Sequence, residues 1–254
     1  MVSPAITPTN AVPDAVPWSS PNTPRCTPTA IPTPQAAPAT NPSAQANPKN
    51  VAGMARYGIS SAGTLGVAMP VIRRLARQAG RSHSLAAELW GSGIHEARIL
   101  ATLVDQPARV TRRQMNQWAR DFDSWDVCDE ACQNLFRYTP FAWAMAAEWA
   151  SAKREFVRRA GFWLMAGLAV KAAAKANDAP DEDFAALPPL IAAAATDPRN
   201  MVKKAVNWAL RAIGKRNPHL RRAAIAAAEN IRAIDSPAAR WIASDALRDL
   251  RAVK

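Results

Sequence analysis

The sequence predicts an all-α fold, a stack of helix pairs behind a proline-rich tail. Three observations predict it. From about residue 50 onward apolar residues recur at helical spacing, and no alternating run of useful strand length interrupts them. Breakers recur at Gly91-Ser92-Gly93, Thr139-Pro140, Asp178-Ala179-Pro180, Asp197-Pro198, Asn217-Pro218 and Ser236-Pro237. The helices between them form pairs whose period is roughly 30 to 45 residues, the range of helical repeat proteins.

Residues 1–48 are expected to be a disordered Pro/Ala/Thr-rich tail. Of the 21 prolines, 12 lie in the first fifty positions, among Ala, Thr, Ser and Asn. Proline blocks regular helix there, and too few apolar side chains are present to offset the entropy of ordering. The segment is poor in arginine for an organelle-targeting sequence, and it lacks the charged-then-apolar layout of a secretory signal. One domain, 49–254, follows. Its helices are predicted at 69–79, 84–91, 94–105, 111–122, 125–137, 141–150, 153–175, 182–195, 199–215, 218–232 and 236–251. Several begin with Pro in the first turn behind a capping Ser, Thr, Asp or Asn. The spacing is that of an α-solenoid of the HEAT kind, with an irregular helical bundle as the alternative.

The chain carries 32 Lys+Arg against 20 Asp+Glu, a formal charge of +12. The first fifty residues hold only Asp14, Arg25 and Lys49, so the charge belongs to the helical part. Such an excess predicts salt-sensitive attraction to phosphate or to an anionic membrane, with nucleic acid the first candidate. The cysteines are Cys26, Cys128 and Cys132, with no CxxC pair, and His83, His95 and His219 lack ligand-like neighbours. No zinc site and no disulfide scaffold is expected, and a reducing cytosol fits best. The longest apolar run, Ala160 to Val170, is too short to span a bilayer.

Projection at about 100° per residue separates the faces of the later helices. In 199–215, Val202, Val206, Ala209 and Ile213 form an apolar stripe. Lys204, Trp208, Arg211 and Lys215 lie almost opposite, which puts Trp208 on the basic face; a cation–π contact with Arg211 is the structural alternative. In 125–137, Trp125, Asp129, Cys132 and Phe136 share one stripe, and Val127, Ala131 and Leu135 another. Asp129 thus lies among apolar groups, where an unpaired carboxylate is expensive. It needs a cation, and Arg159 in the next pair is the expected donor. That pair could be functional or could simply tie two repeats together. Arg158 projects as the freer phosphate contact, while Lys203, Arg216, Arg221 and Arg222 are solvated or phosphate-facing. Cys128 and Cys132 are expected in the core, and Trp90, Trp118, Trp143 and Trp149 between helices.

Several separated segments, in order, resemble one family. They are Met54-Ala-Arg-Tyr57, Ser124-Trp-Asp-Val-Cys-Asp129, Phe156-Val-Arg-Arg-Ala160 and Lys203-Lys-Ala-Val-Asn-Trp208, with Gly214-Lys-Arg-Asn-Pro218 behind them. Over residues 49–251 the chain resembles the AlkD-type DNA alkylation repair glycosylases. The resemblance implies HEAT-like helix pairs with a concave basic face. It also implies cofactor-free excision of cationic 3-methyladenine and 7-methylguanine from double-stranded DNA, without base flipping. A monomer is the default for a single basic solenoid acting on duplex DNA. The family's catalytic carboxylate falls on Asp129, its two cleft tryptophans on Trp125 and Trp208, its DNA-contacting arginine on Arg159 and an aromatic near the lesion on Tyr57. Lys204, Arg211, Lys215 and Arg158 complete the expected DNA contacts. A non-catalytic module that binds damaged or branched DNA through the same face is the alternative. A protein–protein scaffold is a third reading, disfavoured by the charge. The family's pattern begins with a further helix ahead of Met54, and here the tail stands in its place. Residues 1–46 therefore read as a replaced or frame-shifted N-terminus, leaving the first repeat incomplete and Tyr57 less firmly held.

Overall fold

Helix boundaries follow capping chemistry. In the computed structural model, which describes residues 42–170 and 179–252, the regular elements are all helical. Asn47 caps α1 (Pro48–Ala55), Ser82 caps α3 (His83–Gly91), Thr111 caps α5 (Arg112–Arg120) and Asn217 caps α12 (Pro218–Arg232), each accepting from a backbone N–H of the first turn. Such a cap contributes about 1 kcal/mol, and Pro at the start of α1 and α12 costs no hydrogen bond. The others are α2 (Met69–Ala79), α4 (His95–Val104), α6 (Trp125–Asn134), α7 (Ala142–Ala150), α8 (Glu155–Ala169), α9 (Asp181–Ala185), α10 (Pro188–Ala193), α11 (Asn200–Gly214) and α13 (Pro237–Ala252). No helix among the described residues is long and apolar enough to cross a membrane.

Most predicted helices are present to within two residues at either end. The exceptions have local causes. The span predicted at 182–195 is two short helices, because Pro188-Pro189 has no N–H to continue the first. The span 125–137 ends at Asn134, where Leu135 leaves helical geometry and a 3-10 turn, Phe136–Tyr138, takes over. The end of 153–175 passes outside the described residues after Val170. Ahead of the first predicted helix, Pro42–Gln45 forms a 3-10 turn with Pro42 buried, and α1 follows at Pro48. The expectation for residues 1–41 lies outside the described residues.

Two layers build the core. Helices α2, α4, α6, α8, α11 and α13 lie side by side in one row; α3, α7, α10 and α12 pack behind them. Row neighbours are hooked by polar pairs at matching heights: His95–Asp126 (2.8 Å), Asn134–Thr102 (3.1 Å) and Asn207–Asp245 (2.7 Å). Helix α8 sits in the middle, buried at every position from Ala160 to Ala169, as a helix apolar on all sides must be. Gly161 permits its approach to α7, since a Cβ there would lie 2.6 Å from the Ala150 nitrogen. Cys128 and Cys132 are free and buried, as expected of small core residues. Trp90 and Trp118 stack in parallel at 4.0 Å behind the row, and Phe136 bridges from Trp118 to the buried Trp149.

The N-terminal end is held differently. No residue of α1 is buried. Polar hooks fasten it instead: Asn47 N–H donates to the Leu65 carbonyl at 2.7 Å, and the Asn50 amide donates to the Gly66 carbonyl at 2.8 Å. Gly66 has φ +76°, and a Cβ there would lie 2.1 Å from the Asn47 carbonyl oxygen, so this turn requires glycine. The buried Glu96 carboxylate accepts from the N–H groups of Leu65, Gly66 and Val67 at 2.8, 2.6 and 3.1 Å, which orders the turn.

Candidate active site and nucleic-acid interface

Asp129 stands on the second turn of α6 and Arg159 on the second turn of α8. Their row positions bring them together: Arg159 Nε donates to Asp129 Oδ1 at 2.7 Å and Nη2 to Oδ2 at 2.6 Å. The third arm, Nη1, donates to the Met201 carbonyl of α11 at 2.8 Å, so one guanidinium joins three helices. The side chains are 11% and 22% exposed for Arg159 and Asp129, enough burial to strengthen the pair and leave the carboxylate reachable. Burial pushes the Asp129 carboxyl above its ordinary value, and the Arg159 hydrogen bonds and charge act against that rise.

Two indoles line a cleft together with Arg159. Trp125, the first residue of α6, donates its Nε1–H to the Tyr57 carbonyl at 2.8 Å, which fixes the ring and ties α6 to the end of α1. Trp208 projects from α11, 37% exposed, with its ring edge-on to Trp163 at 5.3 Å. Its predicted place on the outward face opposite buried Val202, Val206, Ala209 and Ile213 is what the structure has. A cleft of about 420 Å³ is lined by Tyr57, Trp125, Arg159, Met201, Lys204, Ala205 and Trp208. Asp129 lies beside it and also lines a neighbouring cleft of about 630 Å³, walled by Tyr57, Trp125, Met54, Met69, Ile72 and Ile99 among others. The Tyr57 side chain is 72% exposed, so it is the backbone of this residue, rather than its ring, that is firmly engaged.

Three expected DNA contacts are otherwise occupied. Arg158 is not freely solvated: Nε donates to the Ala150 carbonyl and Nη1 to Asp197, both at 3.0 Å, closing the loop between α7 and α11. Arg211 is half-buried and bonded to Asp245 and Asp249 of α13, and Lys215 is paired with Asp249. The reason is register. Asp245 and Asp249, one turn apart, meet Arg211 and Lys215, also one turn apart, and that matching spacing is the signal the sequence offers. Lys204 is exposed, lines the cleft and makes no ion pair among the described residues. Arg216 is likewise engaged, on Asp181 and over the Phe184 ring, and Lys203 lies on the Trp241 ring.

Two supporting groups have no counterpart in the sequence-based expectations. His95 is buried, and its Nε2–H donates to Asp126 at 2.8 Å. Asp126 also accepts from the Ser124 hydroxyl and the Val127 N–H. That cluster fixes the first turn of α6, and with it Trp125 and Asp129. Burial lowers the affinity of His95 for a proton, but Asp126 outweighs it, so the His95 pKa lies above its ordinary value. Glu96 is the second group, ordering the turn that carries the chain from Tyr57 to α2.

Comparison with known proteins bears on the fold and the family. A solved structure described as "a new family of proteins related to the HEAT-like repeat DNA glycosylases with affinity for branched DNA structures" is similar over 81% of this chain and 91% of its own, at TM-score 0.63 and 15% identity. That likeness shows a HEAT-like stack. A designed armadillo repeat protein solved with a (KR)4 peptide is 17% identical over 71% of this chain and 92% of its own, at a TM-score of only 0.35. No curated protein matches the sequence. Residues 43–250 match the family described as DNA alkylation repair enzyme, beginning at the Pro42 turn rather than at 49. With most of its length inside that match, the chain belongs to the DNA alkylation repair enzyme family.

Proposed function

We propose that the protein is a monofunctional DNA glycosylase that hydrolyses the N-glycosidic bond of cationic N-alkylpurines, 3-methyladenine and 7-methylguanine, in duplex DNA. The observation that carries this reading is Asp129, a carboxylate held by Arg159, which shares a cleft with Trp125 and Trp208. Alkylation leaves the purine positively charged, so it departs as a neutral base with the electron pair of the broken bond. Positive charge then develops on the sugar. A carboxylate fixed beside it stabilises that charge more in the transition state than in the ground state, and can take the proton of the water that attacks C1′. The indole faces of that cleft stabilise a cation as well. Arg159 holds a phosphate next to the lesion once DNA competes for it. The lesion stays in the duplex, with no metal or nucleotide cofactor required by this chemistry.

Incubation of the purified protein with methylated duplex DNA, followed by chromatography of free bases, tests the reading. Release of 7-methylguanine supports it. A second reading, a non-catalytic module for branched DNA, is favoured by the bidentate engagement of Asp129 and by the affinity described for the structurally similar family. Tight, salt-sensitive binding of branched DNA with no base release would favour it over the glycosylase.

A further inference from the structure

We infer that Trp241 is a second point of contact with DNA, one helix along from Trp208. This rests on the nucleic-acid reading of the cleft and extends it. Helices α11 and α13 lie side by side in register: Asn207 meets Asp245, Arg211 meets Asp245 and Asp249, and Lys215 meets Asp249. One turn earlier the same ladder brings Lys203 over Trp241, with Nζ 4.7 Å from the ring centroid. The indole is 40% exposed, and no hydrogen bond holds its ring among the described residues. Lys204, next to Lys203, lines the cleft together with Trp208. Helix α11 thus presents one lysine to the Trp241 ring and the next to the cleft.

Charge identifies the partner. Along this seam Asp245 and Asp249 are already paired with Arg211, Lys215 and Arg248, and Lys203 and the neighbouring Lys204 add two further cations. A net positive seam bearing a flat apolar ring fits a polyanion that also offers apolar sugar and base surfaces, which is a DNA strand. Lys203 then exchanges the indole face for a phosphate. Neighbouring packed helices lie about 8–10 Å apart, and Lys203 stands roughly 7.5 Å from Trp208 along α11, so at about 3.4 Å per nucleotide the Trp241 contact falls roughly three to four nucleotides from that of Trp208.

Fluorescence anisotropy with a duplex carrying one stable abasic-site analogue measures this without turnover. Trp241→Ala is expected to weaken binding roughly fivefold or more, with Trp241→Phe retaining most of the affinity. Because the side chain is exposed, both variants should melt with the wild type, which excludes misfolding as the cause. Wild-type binding that is unchanged in Trp241→Ala overturns this inference and leaves the cleft reading intact. Failure of the wild type to bind the duplex overturns both.

Discussion

Arg159 closes on Asp129 with two parallel hydrogen bonds while its third arm holds the Met201 carbonyl of the next helix. The candidate catalytic carboxylate is therefore clamped. A phosphate that drew Arg159 toward it would loosen the clamp and position the backbone in the same movement.

That exchange separates the two partners. Asp129→Asn leaves an oxygen to accept one hydrogen bond but removes the charge that competes with phosphate for Arg159. The variant should bind DNA as tightly as the wild type or more tightly. Arg159→Gln should bind weakly and lose about 2–4 kcal/mol of stability, since it strands a half-buried carboxylate. Anisotropy and chemical denaturation check the two effects.

Lys204 and Arg211 share a stripe on α11, and their partners divide their roles. Lys204→Ala should flatten the dependence of log affinity on log salt by about 0.9, the loss of one phosphate contact. Arg211→Ala should leave that slope nearly unchanged and lower stability, because it uncouples α11 from Asp245 and Asp249 of α13. A salt titration with a parallel melt distinguishes them.

His95 and Asp126 make stability depend on pH. The raised His95 pKa adds stability that is complete below its ordinary 6.5 and disappears as pH rises through the folded value. Asp126, held down by His95 and Ser124 against the opposing effect of burial, adds stability above its ordinary 3.8 that is lost as pH falls through its lowered value. Both contributions are whole between 3.8 and 6.5. The wild-type Tm should fall by about 2–4 °C per kcal/mol lost on the alkaline side. His95→Gln should show a smaller alkaline fall across the same range.

The N-terminal boundary can be found by truncation. A chain beginning at Pro42 keeps the buried turn and the Asn47 cap, and should melt within about 2 °C of full length. One beginning at Pro48 loses the cap, worth about 1 kcal/mol, and the Asn47 hydrogen bond to Leu65. It should melt lower, and Tyr57 should become more accessible to chemical modification.

Part of the site is legible in the order of residues alone. A carboxylate at Asp129 on an apolar stripe demands a cation, and Arg159 is that cation. Trp208 stands opposite four aliphatic residues, so its exposure follows from one helix alone. Whatever depends on the neighbouring helix is not legible in this way. Arg158, Arg211 and Lys215 project outward, but a single-helix projection cannot reveal that Asp197, Asp245 and Asp249 arrive to meet them. The burial of His95 and the Glu96 hydrogen bonds to the 65–67 turn are hidden for the same reason. Helix α1 leaves no mark in the pattern because it buries nothing and so carries no apolar stripe.

Whether Asp129 performs chemistry is decided by single-turnover release of 7-methylguanine from methylated duplex DNA by wild type and Asp129→Asn. Removing a charge that acts in the transition state is expected to slow release by about a hundredfold or more while DNA binding persists. Equal release by the two proteins would leave Asp129 without a chemical role.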